Sequence, residues 1–222
     1  MIIGNGLIAN SLKSIDSKDY LFFASGVSNS LETRSSEFER EFSLLKNTLE
    51  NSSGVKLIYF STLSIKDQSK QNSLYVFHKL AMEEYIKNNS ESYLILRIGN
   101  IVGKGGNPNT LFNYLKSQII NNNQFVVHNK ARRLLIDMDD ITLFLKLNGH
   151  LLDNCIVNCS FPYYYDLKEI ITAIEKETSQ KGIYSEANEG DFYKVDFDDN
   201  ITKFFSGIDP KNYLETLTQK YI

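Results

Sequence analysis

One stretch, Val55 to Gly103, narrows the folds open to this chain more than any other. It reads VKLIYFSTLS, a short polar loop, YVFHKLAMEEYIKNN, then YLILRIGNIVGKGG. The first piece is an apolar run around Ile58, Tyr59 and Phe60, short enough for a buried strand. It ends in hydroxyls: Ser61, Thr62 and Ser64. The second has Leu80, Met82 and Ile86 in a helical pattern and sets Tyr75 and Lys79 four residues apart, on one helix face. The third is an apolar strand, Tyr93 to Leu96, running into Arg97 and a Gly-rich turn. A hydroxyl at a strand end, with a Tyr/Lys pair on the next helix, suits the removal of a proton from a carbinol.

In this order the pieces resemble the extended short-chain dehydrogenase/reductases, the NAD-dependent nucleotide-sugar epimerase/dehydratase family. That family has a Ser/Thr after one strand, a Tyr-x-x-x-Lys helix, then a strand ending in Arg-x-x-Asn with Gly soon after. Here those positions are Thr62, Tyr75, Lys79, Arg97, Asn100 and Gly103. Tyr-x-x-x-Lys alone is weak, because a chain with 13 tyrosines yields roughly one match by chance. Tyr164/Lys168 is a second match, without the hydroxyl strand before it or the Arg strand after it. The order of the pieces carries the resemblance, which is densest from Ser61 to Gly103.

At the N-terminus, Met1 to Ala9 is a short strand running into G-x-G-x-x-A, followed by a helical run to about Ile15. Gly4 permits a tight strand-to-helix turn, Gly6 lets a pyrophosphate approach the backbone, and Ala9 lets the helix pack closely. A dinucleotide fold then supplies a second strand ending in Asp or Glu, about 20 residues on, to hold the adenosine ribose. Here the next strand, Tyr20 to Gly26, has no carboxylate at its tip and resembles the family's later strand beside the pyrophosphate and nicotinamide. A helix from Ser36 to about Glu50 then leads straight into the hydroxyl strand. By this resemblance a strand–helix–strand–helix unit is missing between Ile15 and Tyr20. Joining the first helix to a strand on the other side risks a left-handed crossover, which is rare. Two escapes are open: the first helix moves to the opposite face, or Tyr20–Gly26 takes the second-strand place in a flavodoxin-like order.

Beyond Arg97 the chain is Gly-rich, then helical from about Thr110 to Ile120, where the family's substrate lobe begins. Asn107 and Asn109 could bond a sugar or phosphate, or serve only as turn and helix-cap residues. Arg132 and Arg133 offer a guanidinium suited to a diphosphate, with a surface Arg pair as the plainer reading. Asp139 and Asp140 read as helix-start residues that meet the helix dipole favourably. Cys155 and Cys159 read as reduced core thiols, Asn158 follows the family pattern, and Tyr163 to Tyr165 read as cover for the lobe. A final helix is expected over Asn212 to Tyr221.

The fold expected is α/β: a Rossmann-like parallel sheet of reduced strand number with flanking helices, plus a small C-terminal substrate lobe. Residues 1–105 would form the dinucleotide-binding core and 106–222 would complete the sheet and build the lobe, as one compact unit. A chain of 222 residues with 42% hydrophobic content can bury such a core. A net charge of −3 with both signs interspersed argues against nucleic acid. No apolar run approaches a membrane span and no leader precedes Met1, so a soluble cytoplasmic protein is expected. No zinc set is recognisable, and no metal is expected.

The resemblance implies a nucleotide-sugar or related sugar oxidoreductase or epimerase in surface-polysaccharide sugar synthesis, using NAD or NADP. Ionised Tyr75 would take the proton of a sugar hydroxyl as hydride leaves the same carbon for the nicotinamide. A free phenol has a pKa of about 10, so Lys79 would supply a cationic field and bond the nicotinamide ribose. Thr62 would orient the substrate oxygen. The implied cofactor residues are Gly4, Gly6, Leu7, Ile8, Ser25, Gly26 and Lys79; the implied substrate residues are Ser64, Asn100, Asn109 and Arg133. Leu63 and Ser64 stand where the family's dehydratases carry a further acid, which points to reduction or epimerisation. The partner expected is a small sugar or nucleotide sugar, with a homodimer open as the assembly. The missing ribose carboxylate keeps two other readings open: a sugar-nucleotide-binding or regulatory protein that has lost the cofactor, and a subunit completed by a partner.

Overall fold

The computed structural model describes residues 1–52 and 54–222. Its centre is a parallel sheet in the spatial order β1 (Ile2–Ile3), β2 (Tyr20–Phe23), β3 (Lys56–Thr62), β4 (Tyr93–Ile98) and β8 (Cys155–Cys159). β3 and β4 are buried along most of their length, as central strands covered on both faces must be. Side chains alternate between the two faces. Leu21, Phe23, Leu57, Tyr59 and Ile95 meet α2 (Ser35–Glu50) and α3 (Leu74–Asn89) through Leu45, Met82 and Ile86. Phe22, Ile58, Leu94 and Leu96 face α5 (Met138–Asn148), with Ile141, Phe144 and Leu145.

The first connection, α1 (Leu7–Ser11) and a 3-10 turn over Leu12–Ile15, packs on the α5 face, with Leu12 fully buried there. α2 already covers Leu21 and Phe23 on the other face, so the α5 face is the one free to receive it. The steps β1→β2, β2→β3 and β3→β4 all advance in one direction across the sheet. Because α1 and α2 lie on opposite faces, β1–α1–β2 has the opposite hand to the two units that follow. With those two right-handed, as nearly all are, the first crossover is left-handed. Neither escape that the sequence left open is taken. The helix does not join α2 and α3, and β2 sits between β1 and β3 instead of flanking β1 alone. β1 is an edge strand, and no described strand pairs with its outer side.

β8, from the second half of the chain, is the fifth strand of the sheet. The rest of that half builds a lobe with its own small sheets. β5 (Asn100–Val102) runs parallel to β7 (Arg132–Asp137), which pairs antiparallel with β9 (Tyr164–Asp166). β6 (Gln124–His128) runs parallel to β10 (Ile183–Ala187). α4 (Leu111–Ile120), α6 (Leu167–Thr178), α7 (Asp199–Phe204) and α8 (Pro210–Tyr221) pack around them. One apolar core runs from Phe22 and Ile58 through Phe112 and Phe125 to Ile170 and Leu217, so sheet and lobe share an interior. No described helix is long and apolar enough to cross a membrane.

Candidate functional site

α3 turns Tyr75, Lys79 and Glu83 toward the sheet, together with Val76, Met82 and Ile86. The helical spacing therefore does what the sequence predicts: Tyr75 and Lys79 share one face, and it faces inward. Tyr75 is 8% exposed and packs with Val27, Val76, Phe38 and Ile65. Its hydroxyl has no hydrogen-bond partner among the described residues, yet it is not among the fully buried unpaired atoms. Thr62 ends β3 three residues before Ile65, and its Oγ1 accepts the Ser64 N–H at 3.1 Å. Ser61 points the other way and donates to Glu83 at 2.6 Å.

Lys79 has a partner that the sequence reading missed. Its ammonium, 2% exposed, donates to Glu41 Oε1 at 2.9 Å and to the Tyr59 hydroxyl at 3.0 Å. Glu41 comes from α2 and is fully buried. The Tyr59 hydroxyl donates to the same Oε1 at 2.8 Å, while Oε2 accepts the Val27 N–H at 2.7 Å and meets His78 Nε2 at 3.0 Å. Burial by itself would raise the pKa of Glu41. The Lys79 charge and the hydrogen bonds from His78, Lys79 and Val27 together outweigh it and hold the carboxyl at about 2. A weak signal was present: Glu41 stands three residues after Phe38 and four before Leu45, on the stripe that α2 buries. A second buried pair lies one turn on, where Arg97 Nε and Nη2 bond Glu83 at 2.9 and 2.6 Å.

The N-terminal turn and the tip of β2 come together, with Gly4 against Ala24 and Ser25. Gly4 has φ +128°, and a Cβ there would stand 2.4 Å from the Ala24 carbonyl oxygen, so only glycine fits. A Cβ on Gly6 would meet nothing within 4 Å, which leaves its backbone open to approach. Leu7 is covered instead: Cβ atoms on Gly103 or Gly106 would stand 3.1 and 3.2 Å from its side chain. Ile8 is half-buried in the main core. Beside the β2 tip a polar cleft of about 280 Å³ is lined by Gly26, Val27, Arg34, Arg40, Asn107 and Asn109, among others. Its arginines bring their own counter-ions. Arg34 grips Glu32 through two nitrogens, at 2.9 and 2.7 Å, and those bonds hold Glu32 at about 2, while Arg40 meets Glu37. A larger hollow, about 460 Å³, opens beside Met1, Asp16 and Tyr20 at the amino ends of β1 and β2. Open α/β sheets bind ligands at the other end.

Other candidates serve the frame. Asn100 Nδ2 donates to the Leu134 carbonyl, bracing β5 against β7. Arg133 donates to the carbonyls of Arg132 and Asp191, and Arg132 pairs with Asp166. Asn158 Nδ2 donates to the Asp196 carbonyl. Tyr165 is buried and bonds the Pro210 carbonyl, and the Tyr164 hydroxyl takes the Val195 N–H, so these tyrosines cover the lobe. Lys168, of the second Tyr-x-x-x-Lys, pairs with Glu186 far from the sheet edge.

The fold is shared with solved UDP-sugar 4-epimerases. It superposes on a UDP-N-acetylglucosamine 4-epimerase from Methanobrevibacter ruminantium, solved with UDP-N-acetylmuramic acid. The TM-score is 0.71 at 18% identity, over 98% of this chain and 80% of that one. A UDP-glucose 4-epimerase from Thermus thermophilus in complex with NAD gives 0.68 at 15% identity, over 91% and 77%. RMD from Pseudomonas aeruginosa, complexed with NADPH, gives 0.71 at 14% identity, over 98% and 87%. No family model and no curated protein matches the sequence. The match spans 77 to 87% of the length of those three chains, and β1 stands at the edge of the sheet.

Proposed function

We propose that this chain binds a nucleotide-linked sugar at the carboxyl edge of its parallel sheet and acts on it as an NAD(P)-dependent oxidoreductase or epimerase. The observation that carries this reading is Tyr75: a tyrosine packed among Val27, Phe38 and Ile65, beyond the carboxyl ends of β2 and β3, with a hydroxyl that no described residue bonds. Among the similar structures, MoeE5 is in complex with UDP-glucose and NAD, the Thermus thermophilus epimerase with NAD and RMD with NADPH, and this is the support for the ligand class.

The N-terminal turn fits the pyrophosphate side of a dinucleotide, because Gly6 leaves its backbone approachable and Gly4 abuts the β2 tip. Gly4, Gly6, Leu7, Ile8, Ser25 and Gly26 would hold that side. NAD or NADP, when bound, would exchange a hydride with the sugar carbon. The Tyr75 hydroxyl would give its proton to a keto-sugar oxygen or, when ionised, take the proton of the corresponding sugar hydroxyl. Thr62 keeps its own hydroxyl hydrogen free to orient that oxygen, since its Oγ1 already accepts from Ser64. Asn107 and Asn109, in the cleft beside Gly26, are placed to bond sugar or phosphate oxygens.

A second reading, a sugar-nucleotide-binding protein without redox chemistry, is favoured by one observation: Glu41 takes the ammonium of Lys79. Calorimetry with NADH, NADPH and UDP-glucose separates the two. Tight binding of either dinucleotide, with turnover of a keto-sugar nucleotide that falls about 100-fold or more in a folded Tyr75→Phe variant, supports the first. UDP-glucose binding with no dinucleotide binding supports the second. Turnover unchanged in Tyr75→Phe would remove Tyr75 from the chemistry.

A further inference from the structure

The buried cluster around Glu41 has no assigned role in either reading. Its carboxylate receives four contacts from two elements and one strand tip: Lys79 and His78 from α3, Tyr59 from β3, and the Val27 N–H beyond β2. Both oxygens are saturated. Lys79 Nζ is enclosed as well, at 5.0 Å from the centre of the Tyr59 ring and 5.9 Å from that of Tyr75. The remaining side is roofed by Gly26, where a Cβ would stand 2.7 Å from Nζ. Any larger residue at 26 would press on the ammonium. The backbone of the β2 tip therefore lies between Lys79 and the cleft.

We propose that Lys79 is committed to Glu41 and not to a ligand, so that the pair is an internal positioning element for Tyr75. Two contacts make the link. Lys79 lies against the Tyr75 ring, and Val27, tethered by its N–H to Glu41, packs on Tyr75 from the other element. Because Lys79 and Glu41 carry opposite charges 2.9 Å apart, the pair presents Tyr75 with a dipole and no net charge. Whatever ligand the cleft takes is then recognised without a bond from Lys79 to a ribose hydroxyl. The inference rests on the nucleotide-sugar reading only for where the ligand sits; the commitment of Lys79 stands on this chain's own geometry.

The test begins on the wild-type protein, with an amine-selective acetylating ester and mass spectrometry of the peptides. Lys79 should react at least about tenfold more slowly than the exposed Lys13 and Lys18. Reaction at their rate would overturn the proposal, since a lysine kept for a ligand must be reachable before the ligand arrives. A thermal-melt cycle follows. Glu41→Gln and Lys79→Met should each lower Tm by about 10 °C, and the Glu41→Gln/Lys79→Met double variant should lose clearly less than the sum of the two. Losses that simply add would overturn the pairing. Finally, NADH and NADPH are titrated by calorimetry into the wild type and the double variant. Binding kept within threefold supports the proposal, and a tenfold loss in a folded double variant overturns it. Absence of dinucleotide binding in the wild type counts against the redox reading alone, and leaves the labelling and the melt cycle to decide the role of Lys79.

Discussion

Glu41 is the most constrained residue of this cluster, because a fully buried carboxylate is tolerated only with its charge matched and its oxygens bonded. Its pH behaviour follows from the direction of its shift. The folded carboxyl titrates at about 2, below its ordinary 4.5. The stability it contributes is therefore complete above about 4.5 and is lost as pH falls toward 2. We expect the Tm of the wild type to drop through that window more steeply than that of Glu41→Gln, with melts from pH 6 down to pH 2 as the measurement. Parallel curves would mean that Glu41 is not the group titrating. The tyrosine and lysine of α3 were legible in the sequence, because four-residue spacing puts them on one helix face whatever surrounds the helix. Glu41 was not read, since its partner lies 38 residues away on another helix. Only the packing of α2 against α3 decides that the two meet.

Among the elements, α3 shows how a site departs from a simple amphipathic pattern. Its inward face carries Tyr75, Lys79 and Glu83, while Leu74, Phe77 and Leu80 remain exposed. The helix is kept in place by polar pairing as much as by apolar burial. α8 uses the same device at the other end of the molecule. Asp137, buried at the end of β7, accepts Lys220 at 2.7 Å and the Tyr221 hydroxyl, while the Tyr213 hydroxyl bonds both the Asp137 N–H and Asp140. Replacing Asp137 by Ala leaves the Tyr221 hydroxyl and the Asp139 N–H without their acceptor, and leaves Lys220 with Asp139 alone. The expected cost is about 3 kcal/mol, measured by urea unfolding, with earlier proteolytic cutting near α8 as the local sign. Unchanged unfolding with α8 still protected would assign the docking of α8 to Leu214 and Leu217 alone. The sequence marked this helix correctly over Asn212 to Tyr221, two residues short of its start at Pro210. It carried no trace of the Asp137 anchor, which depends on residues more than 80 positions apart.

At the scale of the whole molecule, the left-handed first crossover and the bare edge of β1 are one fact seen twice. In the full dinucleotide fold the strand beyond that edge carries the residue that distinguishes the 2′-hydroxyl of NAD from the 2′-phosphate of NADP. With β1 at the edge, the described structure has no strand to make that distinction. Any dinucleotide binding should therefore show NADH and NADPH affinities within about threefold of each other, by competition calorimetry. A tenfold preference would reveal another segment reading the 2′ position.

The sequence by itself determined the strand–helix–strand order from Val55 to Gly103, the inward pair on α3, and the glycine turn at the N-terminus. These are local matters, set by hydrophobic period, by spacing and by the conformational freedom of Gly4. Tertiary structure alone decided which face α1 takes, which side of β1 stays bare, and which charge Lys79 meets. Those outcomes depend on which surfaces α2 has already covered and on atoms brought together from distant parts of the chain, and no local pattern encodes either.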